Sequence, residues 1–501
     1  MREGLERFTR RLAPVAGLVA GLFTLAGCVV GPNYQRPPVA LDSGFVNAGA
    51  SATNAQPAAP DIATFWRGFN DPALNALIER GLAANGDVRI AQARLMEARA
   101  NQGEADAQAR PGLGLSSGIT HSVRPITQQP GATVNERTGT VYDAGFIANW
   151  ELDFFGRYRR GSEAAAALVQ VGEAGIAGAH TAVAAEVARY YLELRGLQQR
   201  LQFTETSLVN QRESLRITSA RLDAGRGTQL DFARASTLVA STEAALPSLQ
   251  NAIERAVFRL ATLTAQPPRV LLAQLGVPAP LPGLPVTDLA ALPLGTPEQW
   301  LQRRPDLIAA ERQLAAATAN IGVAKSELFP RVSLSGLLGL NAATLGNLAR
   351  SESGVYSLGV GLTWTPFDLG QLRSRIAASE ARTQASLASY EQTVAIALEE
   401  TEGAFSSFTR NAQRAERLTS AARSAEEAAE LARRRFDAGV TDFLVVLDAE
   451  REVLANRDQL VQAQVGTATA LVAVYRALGG GWDAPAAQPA AERRAAWSDR
   501  R

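Results

Sequence analysis

Apolar side chains recur at alternating steps of three and four residues along two long, proline-free stretches of the chain. The first stretch lies between Arg157 and Ala224, and the second covers 369–438. This spacing is typical of helices that pack through a heptad seam. A second helical pattern follows each stretch, after a turn that contains Gly225 or Gly439. The pattern therefore predicts two long helical hairpins, whose first helix would be roughly 100 Å long at ~1.5 Å per residue.

The two turns are copies of one motif. RLDAGRGTQLDFARA occupies 221–235 and RFDAGVTDFLVVLDA occupies 435–449, which places their DAG glycines, Gly225 and Gly439, 214 residues apart. The same shift relates Trp150 to Trp364. One spacing that joins a tryptophan to a helical turn indicates an internal duplication. Glycine at these positions favours a left-handed cap that ends each helix.

Four short segments show a different pattern, in which apolar residues alternate with glycine, serine and threonine. Each is about as long as a tilted transmembrane strand, which takes roughly ten residues. An alternating pattern of this kind also suits a surface hairpin in water, so the pattern leaves both interpretations open. The strand candidates are 113–123, 140–152, 331–339 and 356–365.

These patterns divide the chain into a leader, a tether, two repeats, a linker and a tail. Each repeat is expected to hold a helix, two strands and a long helical hairpin, with the turns near 225 and 439. The proline-rich linker shows no long periodic run, and the tail is expected to be disordered. The boundaries are 1–27 for a signal peptide, 28–65 for the tether, 66–265 and 298–478 for the repeats, 266–297 for the linker and 479–501 for the tail.

Composition narrows the function classes. The chain of 501 residues has a formal net charge of +1, which provides no basic field to hold nucleic acid. A single cysteine excludes an intrachain disulfide, and two histidines are too few for most metal sites. His121 and His180 are far apart in sequence and are interpreted as structural. No catalytic or phosphate-binding motif is present, so we expect neither an enzyme nor a bound cofactor.

The N-terminus has the pattern of a secretory signal. Arginines precede an apolar run of about 15 residues that ends in Leu25-Ala26-Gly27-Cys28. This ending resembles the lipobox of bacterial lipoproteins, in which the cysteine carries lipid. The alternative, a small buried thiol, is less favoured at the end of such a run. In that pattern, lipoproteins that stay at the inner membrane often carry Asp directly after the cysteine. Because Val29 follows Cys28 here, the pattern favours delivery to the outer membrane.

Four strands are too few to form a closed membrane barrel, because even small barrels need about eight. Open strand edges inside lipid would leave backbone groups unpaired at several kcal/mol each. If these strands enter a membrane, several chains must therefore contribute to one barrel. The sequence alone requires oligomerisation and does not set the number of copies.

Several motifs together resemble the TolC/OprM family of outer-membrane efflux proteins, in particular its NodT-type lipoproteins. The motifs are GPNYQRP (31–37), WRGFNDP (66–72), WELDFFGR (150–157), RRPD (303–306), LFP (328–330) and the two turns. The match covers about 28–478. It implies a mainly α fold, in which three protomers form a helical tunnel through the periplasm and one twelve-stranded barrel in the outer membrane of a Gram-negative bacterium. It also implies a periplasmic adaptor and an inner-membrane RND pump as partners, with small solutes as cargo.

The resemblance assigns roles to residues at the two turns. Gly225, Thr228, Gly439 and Thr441 would contact the adaptor. Leu444 and Asp448 match the residues that narrow the closed end of the tunnel in OprM-like members. Three copies of Asp448 would form a ring of carboxylates that attracts cations. The alternative is a solvated helix charge near a favourable N-terminal dipole.

Other candidates have less specific roles. Asp231 lies in the first turn where Val445 lies in the second, and Arg234 corresponds to Asp448. Arg234 could pair with Asp448 across the turns or face water. Trp150 and Trp364 close their strands and are expected to anchor at the membrane interface, with a local core as the equal alternative.

Two other functions are compatible with most of these sequence features. One is an export duct for secreted proteins with the same architecture, and the other is a lipid-anchored periplasmic coiled coil without a pore. Pore conductance separates the coiled coil from the duct, and neighbouring genes separate the two kinds of duct.

Overall fold

The computed structural model describes residues 29–39, 44–47, 60–289, 296–298 and 302–482. Within them the chain divides into two compact units. The sheet unit comprises 29–37, Leu95–Val171 and Ala310–Tyr390, and the helical unit comprises the other described residues. We describe each unit by itself. The described part of the chain contains no helix with both the length and the apolarity that crossing a bilayer requires.

Helices account for most of the described chain. The helices are α1 (Pro60–Ala63), α2 (Pro72–Ala84), α3 (Gly86–Gln108), α4 (Val134–Arg137), α5 (Arg157–Asp223), α6 (Gln229–Leu263), α7 (Pro268–Leu275), α8 (Pro305–Ser326), α9 (Leu369–Asp437) and α10 (Phe443–Ala477). Helices α5 and α9 are the two long ones, and each is followed by a turn and a return helix of 35 residues. The expected pair of long helical hairpins is confirmed.

The sheet has four antiparallel strands in the order β1-β2-β3-β4. They are β1 (Gly112–Val123), β2 (Thr138–Leu152), β3 (Arg331–Ala342) and β4 (Gly354–Thr363). Strands β1 and β2 come from the first repeat, and β3 and β4 from the second. The two halves join where β2 pairs with β3, with Gly145 opposite Gly339. Within the described chain, one edge of β1 and one edge of β4 have no strand beside them.

The seam predicted for α5 is largely buried in the helical unit. Val183, Val187, Leu194 and Leu208 are at most 4% exposed. Along α9 the buried residues change from Phe405 and Phe408 to alanines at 422, 429 and 432, before Phe436 near the turn. Small side chains allow neighbouring helices to approach closely, which suits long parallel packing.

Asp71 fixes the start of α2 and joins it to α5. Its carboxylate accepts hydrogen bonds from the backbone N–H groups of Ala73 and Leu74, and Pro72 follows at the first helical position. The other carboxylate oxygen accepts a 2.6 Å hydrogen bond from the Tyr191 hydroxyl. Burial and this bond raise the pKa of Tyr191 to about 12. The cap therefore also ties α2 to the long helix.

The residues just after Cys28, which the sequence assigns to the tether, are docked on the sheet unit over 29–37. The buried guanidinium of Arg160 donates to the carbonyl oxygens of Val30 and Gly31 and, at 2.7 Å, to Asn33 Oδ1. Gly31 has φ +95°, and a Cβ there would lie 2.5 Å from Gly322 Cα. The sequence gives no periodic signal for this segment, because side chains distant in sequence hold it. Cys28 itself lies outside the described residues.

A second part of the expected tether contacts the helical unit. The Glu402 carboxylate accepts hydrogen bonds from the backbone N–H groups of Val46 and Asn47 at 2.7 and 3.0 Å. The Phe45 ring packs edge-on against Phe405, with 5.2 Å between ring centroids. These contacts fix 44–47 on α9. The tether is therefore not a free spacer where the structure describes it.

The expected linker contains a short helix, and the first residues of the expected tail contact the helical unit. Helix α7 forms inside the expected linker, with Pro267 as N-cap and Pro268 at the first helical position, where proline needs no hydrogen-bond donor. At the expected disordered tail, the Gly481 N–H donates to Ile62 O at 3.1 Å. The glycines at 479–481 permit this approach, because a Cβ at Gly480 would lie 2.8 Å from Ile62 O. Residues 483–501 lie outside the described chain.

Candidate functional site

The first turn joins α5 to α6. Gly225 has φ +67° and its N–H donates to Leu222 O, while the Arg226 N–H donates to Arg221 O. This is the left-handed end that the glycine predicts. Thr228 caps α6: its hydroxyl oxygen accepts the Asp231 N–H at 3.1 Å and its O–H donates to the Asp231 carboxylate at 2.6 Å. The Asp231 carboxylate therefore takes part in the N-terminal cap of its own helix.

The second turn repeats this backbone geometry without the side-chain cap. Gly439 has φ +72°, and the Val440 N–H donates to Arg435 O at 2.9 Å. The N-cap of α10 is Asp442, whose side chain makes no capping hydrogen bond. Thr441 lies one residue before the cap, so it is not the structural counterpart of Thr228. The two turns therefore offer different polar groups on the same backbone.

An apolar cluster beneath the turns joins the two hairpins. Its buried members are Ala235, Leu238, Ala432, Phe436, Phe443, Val446 and Leu447. The Arg221 guanidinium lies 3.9 Å from the centre of the Phe436 ring, a cation–π contact between α5 and α9. This cluster makes the two turns one packed end of the helical unit.

The predicted gate residues face away from that cluster. Leu444 is 38% exposed, and Asp448, one helical turn later, is also exposed. Arg234 is half-buried on α6. No ion pair joins Arg234 to Asp448 or to Asp231 within the described protomer. The protomer thus leaves Leu444 and Asp448 free to meet other molecules, and the pairing proposed for Arg234 stays a prediction.

A buried polar layer lies between α5, α9 and α10, further from the turns. The Glu450 side chain is 4% exposed and forms an ion pair with Arg433, with 2.9 Å between Oε1 and Nη2. The same Oε1 accepts hydrogen bonds from Arg433 Nε and Ser214 Oγ, both at 3.1 Å. Its Oε2 and both polar atoms of the Gln211 amide have no hydrogen-bond partner among the described residues. Each such group costs ~1–3 kcal/mol. In the sequence, Gln211 interrupts the apolar positions of the first long stretch and so indicates a polar layer, whereas nothing in the sequence marks Glu450.

The sheet has two chemically different faces. One face is apolar, and its large side chains are more than half exposed in the protomer: Leu113, Leu115, Ile119, Phe146, Leu338, Tyr356, Leu358, Val360 and Leu362. The other face is dominated by glycine and serine, with Gly114, Ser116, Gly118, Gly145, Ser335, Gly339, Ser357 and Gly359. An exposed apolar face of this size marks contact with lipid or another apolar partner.

The two strand-closing tryptophans make equivalent hydrogen bonds. Trp150 Nε1 donates to Ala109 O at 3.0 Å, and Trp364 Nε1 donates to Leu328 O at 3.1 Å. Trp150 lies inside β2, whereas Trp364 follows the last residue of β4. Trp364 is 51% exposed. Because both indole N–H groups are satisfied by backbone near the sheet, the rings are held in fixed positions, and their role as interface anchors stays a prediction.

The histidines do not form a site. The His121 ring lies 2.9 Å from Thr140 Oγ1, and burial lowers the pKa of His180. Across the described ranges, no group of three or more His, Cys, Asp or Glu residues could hold a metal ion.

Comparison with known proteins agrees with this architecture. The family model for outer membrane efflux proteins matches residues 77–266 and 296–480. Nodulation protein T of Rhizobium leguminosarum bv. trifolii is 30% identical over 95% of this chain and 98% of its own length. Outer membrane protein OprJ of Pseudomonas aeruginosa is 32% identical over 94% of this chain and 96% of its own.

A solved structure also matches. The outer-membrane channel OprN superposes with a TM-score of 0.84 at 40% identity, covering 91% of this chain and all of that one. The resemblance indicated by the sequence motifs is confirmed. The chain therefore belongs to the outer membrane efflux protein family and is an outer-membrane efflux channel.

Proposed function

We propose that three copies of the chain form one pore and that it is the exit duct of a tripartite RND-type efflux system. The observation that carries this proposal is a four-stranded sheet with one apolar face, one glycine- and serine-rich face and two unpaired edges. If β4 of each copy pairs with β1 of the next, three copies supply twelve strands and leave no edge. The apolar face then contacts lipid, and the small-residue face lines water.

The helical hairpins supply the periplasmic part of this duct. Their turns, with Gly225 and Thr228 in one and Gly439 and Thr441 in the other, are the surfaces that we assign to the adaptor. Nothing in this role requires bond chemistry, so the protein acts as a passive channel and not as an enzyme. The solute is small, and we assign most of its selection to the pump.

We also propose that Cys28 carries lipid. The lipobox pattern ends at Cys28, and the residues that follow it are bound to the sheet unit through Arg160. Acyl chains add to membrane affinity at about 0.8 kcal/mol per buried methylene. The lipid would thus attach to a part of the chain that is already held in place.

The duct is tested by reconstitution of the purified protein. We expect a mass of three copies in detergent, heat-modifiable migration on gels, and ion conductance in planar bilayers. These properties follow together from a closed barrel. A monomer without conductance would contradict the proposal, and a trimer without conductance would leave only the periplasmic coiled coil.

Asp448 and Leu444 are proposed to narrow the closed end of the duct. Three copies of the exposed Asp448 would place like charges close together, and three copies of Leu444 would form an apolar ring beside them. We expect Asp448→Ala to raise the leak conductance of the closed pore in single-channel recordings. Asp442→Ala is the matched control, because this exposed carboxylate lies at the same turn and makes no capping bond. Equal closed-state conductance of the wild type and Asp448→Ala would show that Asp448 does not contribute to the gate.

A further inference from the structure

One charged residue stands apart on the glycine- and serine-rich face of the sheet. Asp143 lies in β2, opposite Gly118 of β1 and Asn341 of β3. All three residues share that face, because residues directly opposite each other on paired strands point to the same side of the sheet. Asp143 is half-buried in the protomer. It therefore projects on the side that we assign to the water-filled interior.

The other charged side chains on this face are paired near the opposite end of the strands. Glu151 lies 3.3 Å from Arg157, and Arg331 lies 4.0 Å from Glu327. Asp143 forms no ion pair or hydrogen bond within the described residues. Its charge is therefore the one on this face that neighbouring side chains do not compensate.

The strand next to Asp143 leaves room for its carboxylate. A Cβ at Gly118 would lie 3.1 Å from Asp143 Oδ1 and 3.2 Å from Oδ2. Such contacts are tighter than ordinary van der Waals distances, so a side chain at 118 would displace the carboxylate. Glycine at this position keeps the carboxylate over the neighbouring backbone. An unpaired carboxylate on a sheet face also requires water, because burial without a partner is costly.

We propose that Asp143 makes the barrel part of the pore prefer cationic over anionic solutes. This inference rests on the proposed three-copy pore, which would repeat the carboxylate at one height around the interior. A ring of carboxylates raises the local concentration of cations and opposes the passage of anions. The chemical class favoured is therefore solutes with a protonated amine or another fixed positive charge.

The ratio of potassium to chloride permeability tests this inference, measured from the reversal potential across a KCl gradient. We expect Asp143→Asn to lower that ratio by about threefold at low salt, and by less at 1 M salt, where the Debye length is ~3 Å. The measurement is made in the Asp448→Ala background, so that the carboxylates at the turns do not mask the effect. Heat-modifiable migration of each variant shows that the barrel has formed.

A charge swap provides the matched control. The double variant Asp143→Asn/Asn341→Asp moves the carboxylate to the neighbouring strand at the same height, and we expect it to restore the cation preference. A conducting Asp143→Asn pore with an unchanged permeability ratio would overturn this inference and leave the duct intact. A swap that fails to restore the ratio would also overturn it, because the charge would then not act through the shared interior. Absence of conductance in every variant would instead contradict the duct.

Discussion

Arg304→Met is expected to lower the free energy of unfolding by about 2–4 kcal/mol. The Arg304 side chain is 7% exposed and lies 2.7 Å from both Asp306 and Glu400. It also donates to Ala477 O at 3.3 Å, which joins the end of α10 to the start of α8. Removing one partner of a fully buried pair costs ~3–5 kcal/mol. The estimate is lower here because water already reaches both carboxylates, which are 45% and 41% exposed.

Thermal unfolding followed by the helical circular dichroism signal measures this effect. Arg303→Met is the control, because Arg303 is the less buried neighbour. Arg304→Lys keeps the charge but loses the fork geometry, so we expect an intermediate loss. Burial lowers the pKa of Arg304, but Asp306 and Glu400 more than offset this effect, so the pKa lies above its ordinary value and the cation persists. An Arg304→Met protein as stable as the Arg303→Met control would show that the carboxylates do not need this cation.

Gly145→Ala is expected to prevent the two halves of the sheet from pairing. A Cβ at Gly145 would lie 2.7 Å from Gly339 Cα and 2.8 Å from Leu338 O. Both are backbone atoms, so β2 and β3 must move apart to admit any side chain. Forcing extra atoms into a well-packed site costs ~1–3 kcal/mol, and more where the backbone must shift. Heat-modifiable migration should show little or no folded barrel.

Gly114→Ala separates this close approach from the general effect of replacing a sheet glycine. Gly114 lies on the same face in β1, and its added Cβ would be 4.0 Å from Ile147 O, an ordinary contact. We expect Gly114→Ala to fold like the wild type. If Gly145→Ala and Gly114→Ala gave equal amounts of folded barrel, the β2–β3 contact would not be the critical joint.

The architecture could be read from the sequence because its signals are local. Glycine readily adopts the left-handed backbone that ends a helix, and Gly225 and Gly439 both have positive φ. The seam of α5 and the alternation in the strands each repeat at a period that one element alone determines. The strand ends differ from the predicted bounds. Strand β3 continues beyond 339 to Ala342, and β4 begins at Gly354 and not at 356. The sequence misses these residues because glycine and asparagine have no strand preference.

Contacts between distant residues could not be predicted. The docking of 29–37 depends on Arg160, which lies more than a hundred residues away in sequence. No pattern in either segment indicates that the two are in contact. RRPD was recognisable as a motif, but the burial of Arg304 against Glu400 depends on tertiary packing. The unpaired position of Asp143 similarly emerges only from the register that sets it beside Gly118.

The free edges of β1 and β4 bear on how the protein is made. A newly exported chain presents two backbone templates that will pair with any extended strand they meet, including those of unrelated proteins. Productive assembly depends on encounters between identical chains, so its yield should rise steeply with expression level at first and fall once aggregates compete. A holding chaperone in the periplasm would relieve this competition by covering the edges until sister chains arrive.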